Sequence, residues 1–158
     1  MAEPVTSTED FETFYRRAWR DAARWATALT GNQAIGEEIA QDAFVKLSSR
    51  FPQLANADGY LRVTVVNLAR SSMRSSGRRA LREQRVAAEE VTVSRDGGGG
   101  ELLASLERLS YEQRAVLVLR YWADWDEAAI AEALGCRPST VRSHARRALV
   151  LMRKEIER

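Results

Sequence analysis

Two predicted helices and the turn between them are encoded in residues 126–147, which read Asp126-Glu-Ala-Ala-Ile-Ala-Glu-Ala-Leu-Gly-Cys-Arg-Pro-Ser-Thr-Val-Arg-Ser-His-Ala-Arg-Arg147. Asp126 is a suitable N-cap for a helix that ends near Leu134, where Gly135 makes a turn. Pro138 fits the first turn of a last helix that reaches about residue 156. Two helices joined by a short glycine-containing turn are the helix-turn-helix arrangement, whose second helix enters the DNA major groove.

The last helix separates an apolar stripe from a basic one when residues are placed at 100° intervals. The apolar stripe holds Val141, Ala145, Ala148 and Met152. Short polar residues near the helix start let the backbone come close to DNA, and an arginine side chain can donate two hydrogen bonds to a guanine edge or a phosphate. A helix N-terminus also attracts a phosphate. The predicted DNA-contacting set is Arg137, Ser139, Thr140, Arg142, Ser143, Arg146 and Arg147.

The rest of the chain is also predicted to be helical, because it shows no strand-like alternation and only three prolines. A first helix is expected over residues 10–29, with a capping box at residues 7–10, and a second over residues 32–50 with Asn32 as N-cap. A third helix is expected over about residues 60–76. Gly77 is then expected to interrupt it before a basic helical segment continues. Two more are expected at residues 102–109 and, behind a Ser110–Gln113 capping box, through Tyr121. The fold class is therefore all-α.

Four consecutive glycines, at residues 97–100, predict a flexible linker. This linker divides the chain into a domain at residues 1–88, a linker at residues 89–100 and a domain at residues 101–158. Each flank has its own apolar periodicity, which favours two small helical domains. The alternative is a long surface loop within one domain.

Basic residues are concentrated in two blocks, although the formal net charge is only +2. Residues 61–85 hold seven arginines against one acid, and residues 133–158 hold six arginines and one lysine against two acids. On the third helix, an outer face of Asn67, Arg70, Arg74, Arg78 and Arg85 lies opposite the stripe of Leu61, Val65, Leu68 and Ser72. Two separate basic patches favour two contacts with a polyanion. The alternative is a pair of solvated helix faces.

Composition excludes several classes of protein. With 45% apolar and 29% charged residues in 158, the chain is typical of a soluble globular protein. One cysteine (Cys136) and one histidine (His144) leave no disulfide framework, no multi-cysteine metal site and no two-histidine metal site. We therefore expect no metal and no cofactor. No apolar run is long enough to span a membrane and no secretory signal is visible, so a cytoplasmic location is expected.

Taken together, the two halves resemble bacterial RNA polymerase sigma factors of the extracytoplasmic-function type (group 4 of the sigma-70 family), particularly the compact actinobacterial branch. In the N-terminal half, Leu29-Thr-Gly31 and Gly36-Glu-Glu-Ile-Ala-Gln-Asp-Ala-Phe44 are similar to regions 2.1 and 2.2. Ala57-Asp-Gly-Tyr-Leu-Arg62 and Val66-Asn-Leu-Ala-Arg70, with the arginine-rich tail, are similar to regions 2.3 and 2.4.

In the C-terminal half, Leu109-Ser-Tyr-Glu-Gln-Arg-Ala-Val-Leu-Val-Leu-Arg-Tyr121 resembles region 4.1. Ile130-Ala-Glu-Ala-Leu-Gly-Cys-Arg-Pro-Ser-Thr-Val-Arg-Ser143, with Arg147-Ala-Leu149, resembles region 4.2. The chain departs from the family pattern at Ser139, where a glycine is usual, at the acidic and bulky residues 124–126, and at Ala40. The Ser139 departure bears on the contacts with the −35 promoter element.

The resemblance implies a transcription initiation factor, not an enzyme, that binds core RNA polymerase and directs it to promoters. The N-terminal domain would bind the −10 element and assist strand opening, and the C-terminal domain would bind the −35 element. Candidate −10 residues are Asn56, Asp58 and Tyr60 as base readers and Asn67, Arg70, Arg74 and Arg78 on phosphates.

The resemblance also implies protein partners. The region 2.2 helix would dock on the clamp helices of the largest core subunit through Glu37, Glu38, Gln41 and Asp42. The flap of the second-largest subunit is the other expected contact, and an anti-sigma factor is a further partner common in the family. Promoter DNA would be bound poorly without core polymerase.

Three other classes of function remain as alternatives. A dimeric helix-turn-helix regulator would bind its operator without core polymerase, but the N-terminal half shows no ligand-binding or phosphoacceptor pattern. An enzyme would require a metal at the carboxylates of Glu37, Glu38 and Asp42, which lack a histidine partner. A helical adaptor that binds only proteins would tolerate mutation of the outward arginines.

Overall fold

The computed structural model describes residues 9–83 and 100–157, with side chains at residues 9–76 and 104–157. The regular structure of these residues is helical, as the sequence predicts. Its α-helices are α1 (Phe11–Thr30), α2 (Gln33–Ser48), α3 (Ala57–Glu83), α4 (Gly100–Glu107), α5 (Tyr111–Leu117), α6 (Glu127–Leu134) and α7 (Pro138–Ile156). A short 3₁₀ turn lies at Phe51–Gln53, and a π-helical segment at Val118–Trp122 follows α5 directly.

Short polar side chains begin most of the helices. Asn32 accepts a hydrogen bond from the Ile35 amide at 3.0 Å, and Ser110 forms a full capping box with Gln113. Asp126 accepts from the Ala129 amide at 2.7 Å. These N-caps satisfy amides that lack a partner within the helix, as predicted. The predicted capping box at residues 7–10 is wrong, since Asp10 itself is the N-cap of α1.

Three predicted boundaries differ from the structure. Helix α3 continues through Gly77 to Glu83, so the expected interruption is absent from this helix. Helix α4 begins at Gly100, which the sequence assigned to the linker. The other predicted linker residues, 89–99, lie outside the described residues. The helix predicted to run through Tyr121 changes after Leu117 from α-helical to π-helical hydrogen bonding. A single π-helical turn contains no glycine or proline here and is too short to change the apolar periodicity, so the sequence does not indicate it.

In the N-terminal half, α1, α2 and α3 pack around an apolar core. Phe14, Leu29, Leu47 and Val65 are fully buried there. Gly36 brings α2 against α1, because a Cβ at this position would lie only 2.7 Å from the Thr27 Cα. The close approach of two helices therefore requires glycine at position 36.

The C-terminal half packs α5, α6 and α7 around Val116, Leu119, Ile130 and Val141, all fully buried. Gly135, with φ of +67°, ends α6 in the left-handed conformation that favours glycine and turns the chain toward α7. The predicted helix-turn-helix is therefore present.

The two halves pack against each other in the structure. Buried side chains of both halves form one continuous apolar core. Trp25 on α1 meets Trp125 of the C-terminal half edge to face, with ring centroids 5.1 Å apart. The division into two domains remains a prediction, because contact between them does not test whether each folds alone.

None of the described helices is both long enough and apolar enough to cross a bilayer.

Candidate nucleic-acid interface

The outer surface of α7 has the composition predicted for it. Of the seven predicted DNA-contacting residues, only Thr140 is half-buried. The six exposed ones are Arg137, Ser139, Arg142, Ser143, Arg146 and Arg147. On the opposite stripe Val141, Ala145 and Ala148 are buried, which fixes the rotation of the helix. The first turns of α7 therefore present cations and short hydroxyls to solvent, as a recognition helix must.

Contacts within the helix-turn-helix orient some of these groups. The Arg142 guanidinium pairs with the Glu127 carboxylate at the start of α6. The Ser143 hydroxyl donates to the Ser139 carbonyl at 3.1 Å. Because the Arg142 side chain is still 57% exposed, it is positioned by the ion pair and yet reachable by a ligand.

The turn itself is closed by packing around Cys136. Its backbone amide donates to the Ala131 carbonyl at 3.0 Å, and its side chain packs against the apolar core. Burial raises the pKa of the Cys136 thiol. His144 is half-buried, and its Nδ1 has no hydrogen-bond partner among the described residues. Cys136 therefore has a packing role in the turn.

The predicted −10 face on α3 is only partly open. Asn67 and Arg74 are exposed, but the Arg70 side chain is only 21% exposed. Arg70 donates to the Leu134 carbonyl at 3.1 Å and to the Asn67 side chain at 3.4 Å. The C-terminal half therefore covers the middle of this face. The Arg78 side chain and all of Arg85 lie outside the described part of the chain.

The start of α3 holds the three candidate base readers, each with a structural contact. The Asn56 side chain caps the helix by accepting from the Gly59 amide at 2.9 Å. Asp58 pairs with Arg17 on α1, at 3.1 Å, and Tyr60 packs half-buried against the core. Sequence reasoning missed Arg17. No local sequence pattern indicates its contact with Asp58, because only the fold brings the two residues together.

Arg17 holds two acids at once. It also binds Glu9, at 2.8 Å, so one guanidinium joins the segment before α1 to the start of α3. The hydrogen bond from Arg17 lowers the pKa of the Glu9 carboxyl below its usual value. The Arg17 and Asp58 side chains are about half exposed, so we assign this cluster an orienting role and little stability.

The four candidate polymerase-binding residues form a stripe on α2. Glu37, Glu38, Gln41 and Asp42 are all exposed. The opposite side of the helix, with Ile39, Ala43 and Phe44 among others, is buried. Gln33 donates to Glu37 at 3.1 Å, and the carboxylates are otherwise available to a partner surface. No cluster of three potential metal ligands occurs in the described residues.

A large apolar groove lies between the two halves on the side of α1. Its volume is about 1610 Å³. Trp19, Ala28, Leu117 and Leu149 are among its apolar lining residues, and Trp122 is 48% exposed there. The basic rim residues are Arg20, Arg24 and Arg153. Trp19, Trp25 and Trp125 pack in or against the apolar core, whereas Trp122 lies at this surface with Arg24 over its ring.

Known proteins match both the helix-turn-helix half and the chain along most of its length. The family model described as sigma-70, region 4, matches residues 99–152. The RNA polymerase sigma-E factor of Streptomyces avermitilis is 28% identical over an alignment that covers 94% of this chain and 86% of that protein. The sigma-E factor of Streptomyces coelicolor is also 28% identical, with 93% and 86% covered.

A solved structure shares the fold along almost the whole chain. It is that of the sigma factor RpoE in complex with the anti-sigma factor NepR, from Bartonella quintana. The TM-score is 0.76 at 21% identity, and the match covers 94% of this chain and 97% of that one. The helix-turn-helix half therefore contains a sigma-70 region 4 domain, and the chain along almost its whole length is similar to RNA polymerase sigma factors.

Proposed function

We propose that the chain is a transcription initiation factor that binds core RNA polymerase and directs it to specific promoters. In this proposal the α7 surface reads the −35 element in the major groove. The start and outer face of α3 bind the −10 element, and assist strand opening by capturing a flipped base of the single strand. The exposed stripe on α2 docks on the core enzyme. The chain contributes binding and no catalytic centre of its own.

One observation carries the proposal: the exposed, acid-poor surface at the start of α7. The buried stripe of Val141, Ala145 and Ala148 fixes which side of the helix faces out. That outer side holds Arg142, Arg146 and other donors suited to base edges and phosphates. The residues matched to sigma-70 region 4 include this entire surface.

A mobility-shift experiment separates the proposal from a dimeric operator-binding regulator. A library of promoter-like duplexes is incubated with the chain alone, with core polymerase alone, and with both. We expect sequence-selective retention only when both are present, since the chain lends its specificity to the core enzyme. Selective retention by the chain alone, at the same salt concentration, would support the regulator instead.

Arg142→Ala is expected to reduce discrimination at the −35 element by about 1–3 kcal/mol, since a bidentate arginine–guanine contact contributes about that much. The measurement is the affinity of the polymerase complex for a retained promoter and for variants at single −35 positions. Arg16→Ala, which removes an exposed arginine paired with Glu12 on α1, is the control and should leave discrimination unchanged. An equal loss of affinity on every sequence would assign Arg142 to the DNA backbone instead.

The groove between the halves is the surface that we propose for an anti-sigma factor. Its apolar lining fits the buried face of an amphipathic helix, and Arg20, Arg24 and Arg153 on its rim fit acidic flanks of that helix. Glu37, which belongs to the proposed polymerase-binding stripe, also lines the groove. A helix bound there would therefore cover part of the surface that core polymerase needs.

A further inference from the structure

One acid lies beside the basic surface at the start of α7. The Glu127 carboxylate accepts a hydrogen bond from the Nη1 group of Arg142, 15 positions further along the chain. Glu127 is the first residue of α6, and Arg142 lies near the start of α7. In a helix-turn-helix the first helix crosses the DNA backbone while the second enters the major groove. The ion pair therefore joins the two helices on the surface that we propose for DNA.

The backbone is fixed at both ends of this ion pair. Glu127 directly follows Asp126, the N-cap of α6, and Trp125 before them is buried. Arg142 directly follows Val141, which is fully buried. A carboxylate and a guanidinium on two such anchored helices restrict each other's rotamers. The Arg142 side chain is therefore ordered before any ligand arrives.

Arg142 keeps donors for a base while it is held. A guanidinium has five N–H donors, and Glu127 takes one of them through Nη1. The major-groove edge of guanine accepts two hydrogen bonds, at O6 and N7. The Arg142 side chain is 57% exposed, so a base edge can reach the remaining donors. One guanidinium can therefore bind the acid and a guanine at the same time.

The other arginines of this surface are not held in this way. Arg137, Arg146 and Arg147 are exposed, and within the described residues no carboxylate lies at ion-pair distance from them. Unpaired arginines can follow phosphates, which carry no sequence information. A carboxylate beside a guanidinium offsets its charge and so weakens its attraction for a phosphate. Arg142 is therefore the arginine of this set that is best suited to a base edge.

We propose that Glu127 is a positioning residue that makes Arg142 a determinant of promoter specificity. The proposal rests on the function proposed above and concerns the reading of the −35 element. Glu127 orders the guanidinium, so less conformational freedom is lost when the correct base is present. Its charge also weakens binding to phosphates, which every DNA sequence offers. Both effects widen the difference in affinity between correct and incorrect sequences.

Two substitutions separate the hydrogen bond from the charge. Glu127→Ala removes both the acceptor and the negative charge. Glu127→Gln removes the charge and keeps an oxygen that can accept from Nη1. Both leave the Asp126 cap of α6 in place. The matched controls are Glu12→Ala and Glu12→Gln, which make the same changes in the exposed ion pair of Glu12 with Arg16 on α1.

Discrimination is measured with the polymerase complex on a retained promoter and its single-base variants at −35. Glu127→Ala should reduce discrimination about fivefold at the position where Arg142→Ala reduces it, because the ordering cost then falls on the correct promoter alone. Glu127→Gln should reduce it only about twofold, since a neutral hydrogen bond is roughly half as strong as a charge-assisted one. Combining Glu127→Ala with Arg142→Ala should give no further loss beyond Arg142→Ala, because the acid acts through the arginine.

Non-specific affinity is measured with the full chain alone and a labelled duplex that lacks promoter sequence, over a range of salt concentrations. Both Glu127 variants should bind this duplex more tightly, with a salt slope steeper by about 0.9, the contribution of one more phosphate. Glu127→Ala should therefore bind DNA in general more tightly and yet distinguish promoters less well. A merely structural role for Glu127 does not produce this opposition. The Glu12 controls should change neither quantity.

Unchanged discrimination in Glu127→Ala would overturn the proposal. So would an equal loss in Glu127→Gln, a further loss in the double variant, or unchanged non-specific binding in both single variants. Promoter selection by the unmodified complex keeps these outcomes separate from the function itself. If the complex selects promoters and Arg142→Ala impairs that selection, only the role of Glu127 is rejected; if the complex selects none, the proposed function fails as well.

Discussion

Gly36→Ala is expected to lower the free energy of unfolding by about 3 kcal/mol, the upper part of the range for overpacking a tight core. Glycine inside a helix ordinarily costs about 0.5–1 kcal/mol relative to alanine, so the sign depends on the surroundings. Here the new Cβ would meet the Thr27 backbone nitrogen at 2.6 Å and its Cα at 2.7 Å. Backbone of α1 cannot rotate away as a side chain can, so α1 and α2 must separate.

Urea unfolding of the whole chain measures this effect, with Gly59→Ala as the matched control. A Cβ at Gly59 would also make a 2.6 Å contact, but with the amide end of the Asn56 side chain, which can move. Moving that side chain weakens the Asn56 N-cap, which contributes about 1 kcal/mol, so the control should lower the free energy of unfolding by about 1 kcal/mol and no more. Equal effects at the two glycines would show that the close approach of α1 and α2 does not require Gly36.

Gln41→Arg combined with Asp42→Arg is expected to weaken binding to core polymerase at least tenfold. Both side chains are exposed on α2, next to Glu37 and Glu38, so the change removes the net negative charge of that stripe and adds two cations without entering the core. A partner surface that complements acids would then meet like charges, which costs several kcal/mol at an interface. Fluorescence titration of the labelled chain with purified core enzyme measures the affinity.

The control for this pair changes net charge by the same amount on another helix. Thr13→Arg with Asp21→Arg places two arginines at exposed positions of α1. We expect normal affinity from this control, and circular dichroism melts that match the parent chain for both variants. An affinity loss of the same size in the control would indicate a general charge effect and remove the α2 stripe from the interface.

Local chemistry explains why the helix-turn-helix could be predicted from the sequence. Asp126 and Gly135 act through their own backbone neighbours, and the spacing of Val141, Ala145 and Ala148 alone defines the buried side of α7. The predicted outward set on that helix is accordingly exposed, except for the half-buried Thr140. Each of these features depends on residues within a few positions of one another.

The contact between the halves could not be predicted in the same way. A helical wheel places Arg70 on the outer face of α3, but it does not show that Leu134, distant in sequence, covers that face. Arg114 and Arg17 were missed for the same reason, because their partners are brought close only by the fold. Asn56 was taken as a base reader, whereas its side-chain oxygen is used as a helix cap.

Run-off transcription with purified core polymerase measures whether the chain gives the enzyme its choice of promoter. Templates are drawn from a library of promoter-like sequences and transcribed with and without the chain at fixed salt concentration. We expect defined transcripts from a small subset of templates only when the chain is present, and their loss with the Gln41 and Asp42 substitutions. Identical transcript patterns with and without the chain would contradict it.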